Sequence, residues 1–273
     1  MLVQLNDVLL PARKGGYAVG LFNTINAELA AGVFAAAEAM RSPVIVGTAE
    51  VLLPFGGLEE LSYLLLPMAK RASVPVVVHF DHGTTLEATV KAIDLGFSSV
   101  MFDRSSLPFE ENLKQVRELT AYAHEKGVTV EAELGHVGSG EDHGFMTDPD
   151  SAREFVLKTG VDALAVSIGT VHGPYLKKPC LDLELLSRIR EQVDVPLVLH
   201  GGSGLSDEQF RQCIGRGICK VNIFTDINKA AADAAGALYK EGSVMTDLIP
   251  AMVGAVKSAT EEKMKIFSSA GRA

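Results

Sequence analysis

The stretch VPVVVHFDHG, from Val74 to Gly83, joins a buried strand to a cluster of reactive side chains. Its β-branched residues are typical of a strand that is covered on both faces. Asp81 and His82 follow where that strand must reach the surface, and the segment TTLEATVKAIDLG (84–96) has the spacing of an amphipathic helix. The pattern therefore predicts a βα unit that holds a carboxylate and an imidazole at the carboxyl end of its strand.

The same alternation of an apolar run and a helical segment recurs along the chain. Seven further strands are predicted, at 17–23, 42–48, 98–103, 128–135, 161–169, 195–201 and 218–226. Eight strands that alternate with eight helices favour a closed (β/α)8 TIM barrel of the α/β class over an open sheet. A further helix, 250–267, follows the eighth unit, and no linker interrupts the pattern. We therefore predict a single catalytic domain, residues 1–273, with an extra C-terminal helix.

The composition excludes several kinds of partner. The chain has 273 residues, of which 47% are hydrophobic, and its 25 basic and 34 acidic residues give a net charge of −9 without a Lys/Arg run. Nucleic acid and membrane surfaces are therefore not expected partners. The three cysteines are odd in number, and we find neither a leader peptide nor a run of membrane length. We expect a cytoplasmic protein.

Polar side chains occupy the ends of several predicted strands. The fourth strand ends in Asp103, the fifth in Glu133 and the seventh in His200, and His172 follows the sixth. TIM-barrel enzymes place their chemistry at the carboxyl ends of the strands. Together with His82, the residues His172 and His200 can converge on one divalent ion and leave positions open for substrate, as in a catalytic zinc site. We predict these three histidines as the metal ligands.

Each candidate ligand also has a structural interpretation. A single histidine at a strand end is often a packed or loop residue, and only the set of three favours a metal site. Asp103 and Glu133 either bind a second ion or cap neighbouring loops. The remaining histidines, which we expect to be structural or solvated, are His79, His124, His136 and His143.

Two turns indicate where a phosphate binds. HGGSG (200–204) follows the seventh strand, NIFTD (222–226) continues the eighth, and each leads into a helix. Backbone N–H groups and helix N termini at these positions can hold an anion. The long loop GHVGSGEDHGFMTDP (135–149) is either a lid that brings Glu141 over the substrate as a base or a solvated acidic loop.

Seven motifs together resemble the class II, metal-dependent fructose-bisphosphate and tagatose-bisphosphate aldolases. They occur in the family's order and cover nearly the whole chain. They are HFDHG (79–83), FDRSSLPFEEN (102–112), VEAELGHVGSGED (130–142), IGTVHGPY (168–175), LVLHGGSGL (197–205), KVNIFTD (220–226) and the terminal SSAGRA (268–273).

The resemblance implies a lyase that reversibly cleaves a ketose 1,6-bisphosphate, or a related ketose 1-phosphate, into dihydroxyacetone phosphate and an aldehyde. It implies that the three histidines named above bind a catalytic zinc ion, that Asp81 and Glu141 transfer protons, and that Asp103 and Glu133 hold a second metal ion in some members. Members are commonly homodimers or homotetramers. The residues implied to bind the dihydroxyacetone phosphate part are Gly173, Gly201, Gly202, Ser203, Asn222, Ile223, Phe224 and Thr225.

Several positions depart from the family. Arg104 and Ser106 stand where a glycine and a histidine are common, and Phe224 stands where many fructose-bisphosphate enzymes have an acidic residue. Thr48 and Arg272 are the nearest candidates for further contacts to phosphate. The substrate is therefore open among fructose 1,6-bisphosphate, tagatose 1,6-bisphosphate and another ketose 1-phosphate.

Two other functions fit the same residues. One is a metal-dependent isomerase or epimerase of a sugar phosphate, and the other is a non-catalytic partner subunit of an aldolase. The pair of Asp81 and His82, together with a complete set of three histidines, favours the lyase.

Overall fold

Eight parallel strands form a closed barrel in the computed structural model, which describes residues 1–138, 144–171 and 179–273. The strands are β1 (Val19–Asn23), β2 (Val44–Ala49), β3 (Val76–Gly83), β4 (Ser99–Phe102), β5 (Thr129–Leu134), β6 (Ala163–Val166), β7 (Leu197–Leu199) and β8 (Ile218–Ile223). Each strand pairs with the next, and β1 closes the ring with β8. Every strand residue is buried except His82, which is half-buried. The predicted TIM barrel is therefore confirmed.

Ten helices surround this barrel in the described part of the chain. They are α1 (Leu5–Gly15), α2 (Ala27–Met40), α3 (Leu58–Arg71), α4 (Leu86–Leu95), α5 (Phe109–Glu125), α6 (Pro149–Thr159), α7 (Leu183–Gln192), α8 (Asp207–Gly215), α9 (Thr225–Leu238) and α10 (Met245–Ile266). The side chains of Ser206 and Gln209 form a reciprocal capping box at the start of α8. None of the described helices combines the length and apolarity needed to cross a bilayer.

The additional C-terminal helix begins earlier than predicted. The prediction placed its start at Pro250. In the structure α10 begins at Met245, where the Asp247 carboxylate accepts a hydrogen bond from the Val244 N–H at 3.1 Å. The helix crosses α2 closely, since a Cβ at Gly32 would lie 2.6 Å from Cβ of Val256. This close packing offsets the backbone hydrogen bond that the internal proline removes.

The interior of the barrel changes from apolar to charged along its axis. The amino-terminal end is filled by Leu21, Ile45, Val77 and Val198, and α1 closes it from below. The next layer towards the carboxyl end contains four fully buried polar side chains, followed by the strand ends where the predicted site lies. The four are His79, Ser99, Glu131 and Lys220.

Candidate active site

Asp81 and His82 both face the carboxyl end of the barrel although they are consecutive residues. In a regular strand, consecutive side chains point to opposite faces. The pairing of β3 with β4 is irregular between Phe80 and Gly83, and His82 has a φ of 43°, in the left-handed region. Such a conformation costs a non-glycine residue about 1–3 kcal/mol and is concentrated at functional sites. The irregular strand end thus brings a carboxylate and an imidazole to one place.

The imidazoles of His82 and His200 meet above the barrel. Nε2 of His82 lies 2.6 Å from Nδ1 of His200. The other nitrogen of each ring is bound by a carboxylate: His82 Nδ1 lies 2.9 Å from Oδ2 of Asp103, and His200 Nε2 lies 2.8 Å from Oε1 of Glu131. Because an ionised carboxylate only accepts hydrogen bonds, these contacts place protons on His82 Nδ1 and His200 Nε2.

The two facing nitrogens form a donor set that fits a zinc ion. Metal-binding histidines commonly donate their far N–H group to a carboxylate, as both rings do here. Ligand atoms of Asp81, His82 and His200 lie within 4.8 Å of one another. Zinc–nitrogen distances near 2.05 Å in a tetrahedral site require the two nitrogens to be about 3.3 Å apart, so the rings need to separate by less than about 1 Å. The third predicted ligand, His172, lies outside the described residues.

Without a metal ion the two rings differ in charge. Burial would lower the pKa of His82, but the carboxylates of Asp81 and Asp103 raise it to about 10. Burial and the neighbouring His82 lower the pKa of His200.

Two amide side chains hold the carboxylate of Asp81. Asn23 at the end of β1 donates to Oδ2 at 2.8 Å, and Asn222 near the end of β8 donates to Oδ1 at 2.9 Å. Burial would raise the pKa of Asp81, yet the neighbouring charges of His82 and Lys220 hold it well below its usual range. Asp81 is therefore an ionised, oriented carboxylate that can accept a proton.

Asp103 and Glu133 form a second group with His82, and the ligand atoms of the three lie within 4.8 Å of one another. Asp103 also accepts a hydrogen bond from the Ser105 N–H at 3.0 Å, and Glu133 accepts one from the Val137 N–H at 2.9 Å. Burial and the charge of Asp103 raise the pKa of Glu133 to about 8. Both carboxylates are thus bound to neighbouring loops, and a second metal ion at this group stays a prediction.

A cavity of about 580 Å³ opens above these side chains. Its walls include the described residues that were predicted to bind substrate, from the ends of β7 and β8. These are Gly201, Gly202, Ser203, Asn222, Ile223, Phe224 and Thr225. The predicted Gly173 and Glu141 lie outside the described residues. The wall at the end of β2 includes Ala49, the last residue of that strand, together with Val51 and Leu52. Sequence analysis had not singled out these residues.

Three of the positions named in the sequence analysis lie elsewhere than expected. Thr48 is fully buried in β2, on the opposite face from Ala49, so its hydroxyl is directed away from the cavity. His136 was expected to be structural or solvated, but it lines the cavity, with Nδ1 3.1 Å from Oγ of Ser105. Arg272 lies over the ring of Tyr17, at the amino-terminal end of the barrel, which is the end away from the site.

Of four other side chains noted in the sequence, three lie in the described part of the chain. Arg104 lies over the Phe102 ring and donates to the Thr84 carbonyl at 2.6 Å, so its guanidinium caps the β3 loop. His79 is fully buried, as expected of a structural histidine, and burial and the Lys220 ammonium lower its pKa to about 3. His124 pairs with Asp162 at 2.8 Å on the surface, and His143 lies outside the described residues.

Sequence analysis missed the residues that support the site from below. Asn23, Glu131 and Lys220 hold Asp81, His200 and Asn222 in place. All three lie in predicted strands, but the sequence analysis assigned none of them a role in the site. Because side chains alternate between the two faces of a strand, a residue two positions before a predicted site residue lies on the same face. Glu131 shares a face with Glu133, and Lys220 shares one with Asn222, so each is buried beneath a predicted site residue.

Comparisons with known proteins identify relatives over nearly the whole chain. A family model described as class II fructose-bisphosphate aldolase matches residues 3–272. YdjI of Escherichia coli K12 is 41% identical over 94% of each chain, and a crystal structure described as that of the YdjI aldolase aligns with a TM-score of 0.93 over 100% of both chains. A fructose-bisphosphate aldolase of Geobacillus stearothermophilus is 39% identical over 100% of this chain and 99% of its own.

A relative with a different name is nearly as similar. The 6-phospho-5-dehydro-2-deoxy-D-gluconate aldolase of Shouchella clausii is 38% identical over 99% of this chain and 96% of its own.

Proposed function

Since the chain belongs to the class II fructose-bisphosphate aldolase family, we propose that it cleaves a ketose 1,6-bisphosphate or ketose 1-phosphate into dihydroxyacetone phosphate and an aldehyde, with a zinc ion bound by His82, His172 and His200. The observation that carries the proposal is the convergence of His82 Nε2 and His200 Nδ1 at 2.6 Å, with the far nitrogen of each ring held by a carboxylate. When bound there, zinc supplies a Lewis acid that stabilises negative charge on the substrate oxygens.

Asp81 is placed to move a proton in the cleavage step. Its carboxylate is ionised and held by Asn23 and Asn222, and it lines the cavity beside His82. As the bond between the two halves breaks, Asp81 accepts the hydroxyl proton of the half that leaves as an aldehyde. In the reverse direction it returns that proton to the new hydroxyl. Glu141, on the long loop, is proposed to exchange the proton at the carbon of the other half.

The glycine-rich turn after β7 and the start of α9 are proposed to hold the phosphate. Gly201 has a φ of 67°, and a Cβ at Gly202 would lie 2.9 Å from Cγ1 of Val221, so both positions need glycine for the backbone to turn this closely. Thr225 begins α9, and the N–H groups of its first turn face the same side of the barrel. Helix N termini favour anions.

The identity of the sugar is best tested with a panel. Two relatives are named for fructose bisphosphate and for 6-phospho-5-dehydro-2-deoxy-D-gluconate, so both compounds belong in it, together with tagatose 1,6-bisphosphate and ketose 1-phosphates. We expect one member to release dihydroxyacetone phosphate, and we expect a chelator to stop the release and added zinc to restore it. Release that is insensitive to the chelator, by a protein shown to be free of metal, would contradict the proposal.

The variant His200→Ala tests the proposed metal site. It removes one facing nitrogen, so we expect the loss of both zinc binding and turnover. His124→Ala on the surface of α5 is the control and should retain both, because the His124 side chain pairs with Asp162 on the surface, away from the cavity. Full turnover in His200→Ala would exclude the proposed site.

The assembly and compartment are also proposals. A homodimer or homotetramer is supported by a group of exposed apolar side chains where α9 meets α10, and sedimentation of the purified protein measures it. These side chains are Leu238, Tyr239, Val244 and Met245. A cytoplasmic location is supported by the three unpaired thiols.

A further inference from the structure

Lys220 is a fully buried cation beneath the candidate active site. Its Nζ lies 2.8 Å from Oε2 of Glu131 and donates to Oδ1 of Asn222 at 2.8 Å. The lysine reaches the interior because the pairing of β7 with β8 shifts between Leu197 and Val198, which leaves Cys219 as an extra residue. The ammonium is therefore in contact with two residues that in turn hold the groups of the site.

The first contact orients the amide of Asn222. A lysine ammonium only donates hydrogen bonds, so the amide oxygen of Asn222 must face Lys220. The NH2 group of the same amide then faces Oδ1 of Asp81, which only accepts. With the lysine present, a flipped amide would direct an NH2 group at an ammonium and an oxygen at a carboxylate. Lys220 thus determines which group Asn222 presents to Asp81.

The second contact orients the proton on His200. One oxygen of Glu131 is paired with Lys220, and the other accepts the Nε2–H of His200 at 2.8 Å. Beside the Lys220 ammonium the Glu131 side chain is a carboxylate, which can only accept hydrogen bonds. His200 must therefore carry its proton on Nε2, which leaves Nδ1 as the nitrogen directed at His82.

We propose that Lys220 is a positioning residue that holds two parts of the site at once: the tautomer of His200, through Glu131, and the amide orientation of Asn222, which holds Asp81. The inference rests on the proposed function only in taking His200 as a metal ligand. A role as an amine nucleophile does not fit, because Lys220 lies in the layer below the cavity with both neighbours bound. A contribution to stability does not explain the buried lysine either, because a buried ion pair is seldom more stabilising than apolar side chains.

A set of four variants tests the proposal through zinc affinity, measured by competition with a chelator. In Lys220→Met the Glu131 carboxylate loses its partner, and we expect zinc affinity to fall about 10–100-fold, the usual cost of losing the support of a ligand. In Glu131→Gln the lysine attracts the amide oxygen, so the NH2 group faces His200 Nε2 and drives the proton to Nδ1. We expect this variant to bind zinc more weakly than Lys220→Met does.

The double variant Glu131→Gln/Lys220→Met separates an orienting role from a merely structural one. Without the lysine the glutamine amide can turn its oxygen back to His200, so the double variant should bind zinc at least about tenfold more tightly than Glu131→Gln alone. It also removes the unpaired buried carboxylate and serves in place of Lys220→Met if that variant fails to fold. Cys219→Ala, the adjacent buried residue of β8, is the control and should keep wild-type affinity.

Histidine tautomers in the metal-free protein give an independent measurement. Long-range ¹H–¹⁵N spectra of histidine-labelled protein should show His200 protonated at Nε2 in the wild type and at Nδ1 in Glu131→Gln. Unchanged zinc affinity in Lys220→Met, or a double variant no better than Glu131→Gln, would overturn the inference. A wild-type protein that binds no zinc would instead refute the proposed function, and the tautomer spectra would then decide the role of Lys220.

Discussion

The adjacent residues Asp81 and His82 show how a local backbone irregularity makes a site. A regular strand would bury one of these side chains among the helices and leave the other in the barrel. The left-handed φ of 43° at His82 turns both towards the cavity, where His82 meets His200 and Asp81 meets Asn222. The residue types and their position at a strand end were predictable, but the backbone turn that unites them was not.

The thiol of Cys213 on α8 allows a prediction about alkaline stability. Burial raises its pKa to about 12 from its usual value near 9. Because the folded protein keeps the thiol neutral, its contribution to stability is complete below pH 9 and is lost between pH 9 and 12, at about 1.4 kcal/mol per pH unit. This loss is absent in Cys213→Ala. The difference in free energy of unfolding between the wild type and the variant, measured by urea unfolding, should therefore shrink by that amount above pH 9.

The exposed thiol of Cys180 is the control for this measurement. Unfolding of Cys180→Ala should follow the wild-type pH dependence in parallel. If the Cys213→Ala curve were parallel as well, the Cys213 thiol would not be the group that titrates.

The loop between β2 and α3 forms part of one wall of the cavity. Its first residue, Glu50, accepts hydrogen bonds from the N–H groups of Thr84 and Thr85 at 2.6 and 3.0 Å and from their hydroxyls at 3.1 and 2.7 Å. This carboxylate connects the loop that carries Val51 and Leu52 to the start of α4. A sequence pattern does not reveal such a contact, because it joins two loops that lie more than thirty residues apart.

We expect Glu50→Gln to loosen that wall of the cavity. A glutamine offers one acceptor oxygen and directs its NH2 group at backbone donors, so the variant should lose about 1 kcal/mol of stability. Because Val51 and Leu52 line the cavity and are not among the groups proposed to react, KM should rise a few-fold while kcat stays within about twofold. Steady-state kinetics and urea unfolding measure the two effects. Glu59→Gln, on the surface of α3, should change neither KM nor kcat, and a fall in kcat alone for Glu50→Gln would contradict this view of the loop.

The closed barrel brings together ligands that are far apart in the chain. His82 and His200 are separated by 118 positions yet lie at 2.6 Å, because the carboxyl ends of all eight strands meet in one ring. A metal ion bound by His82 and His200 would therefore connect distant parts of the molecule, and its binding free energy would add to the stability of the whole fold.

Zinc should accordingly raise the melting temperature of the metal-free protein. At a free concentration 100 times the dissociation constant, one bound ion stabilises the folded state by about 2.7 kcal/mol. For a chain of this size we expect a rise in Tm of about 5–10 °C. The rise should be absent in His200→Ala and present in His124→Ala. An equal rise in His200→Ala, measured by calorimetry, would place the stabilising ion elsewhere.

The pattern of apolar runs and helical segments was sufficient to predict the barrel, because burial on both faces gives every strand the same local signature and short connections leave few ways to arrange them. It also identified Asp81, His82 and His200 as strand-end residues. Tertiary structure alone decided which buried side chains support them. The contacts of Glu131 with Lys220 and His200 cross the barrel between strands distant in sequence, and their geometry depends on strand register and on irregularities in β3 and β8 that no local pattern encodes.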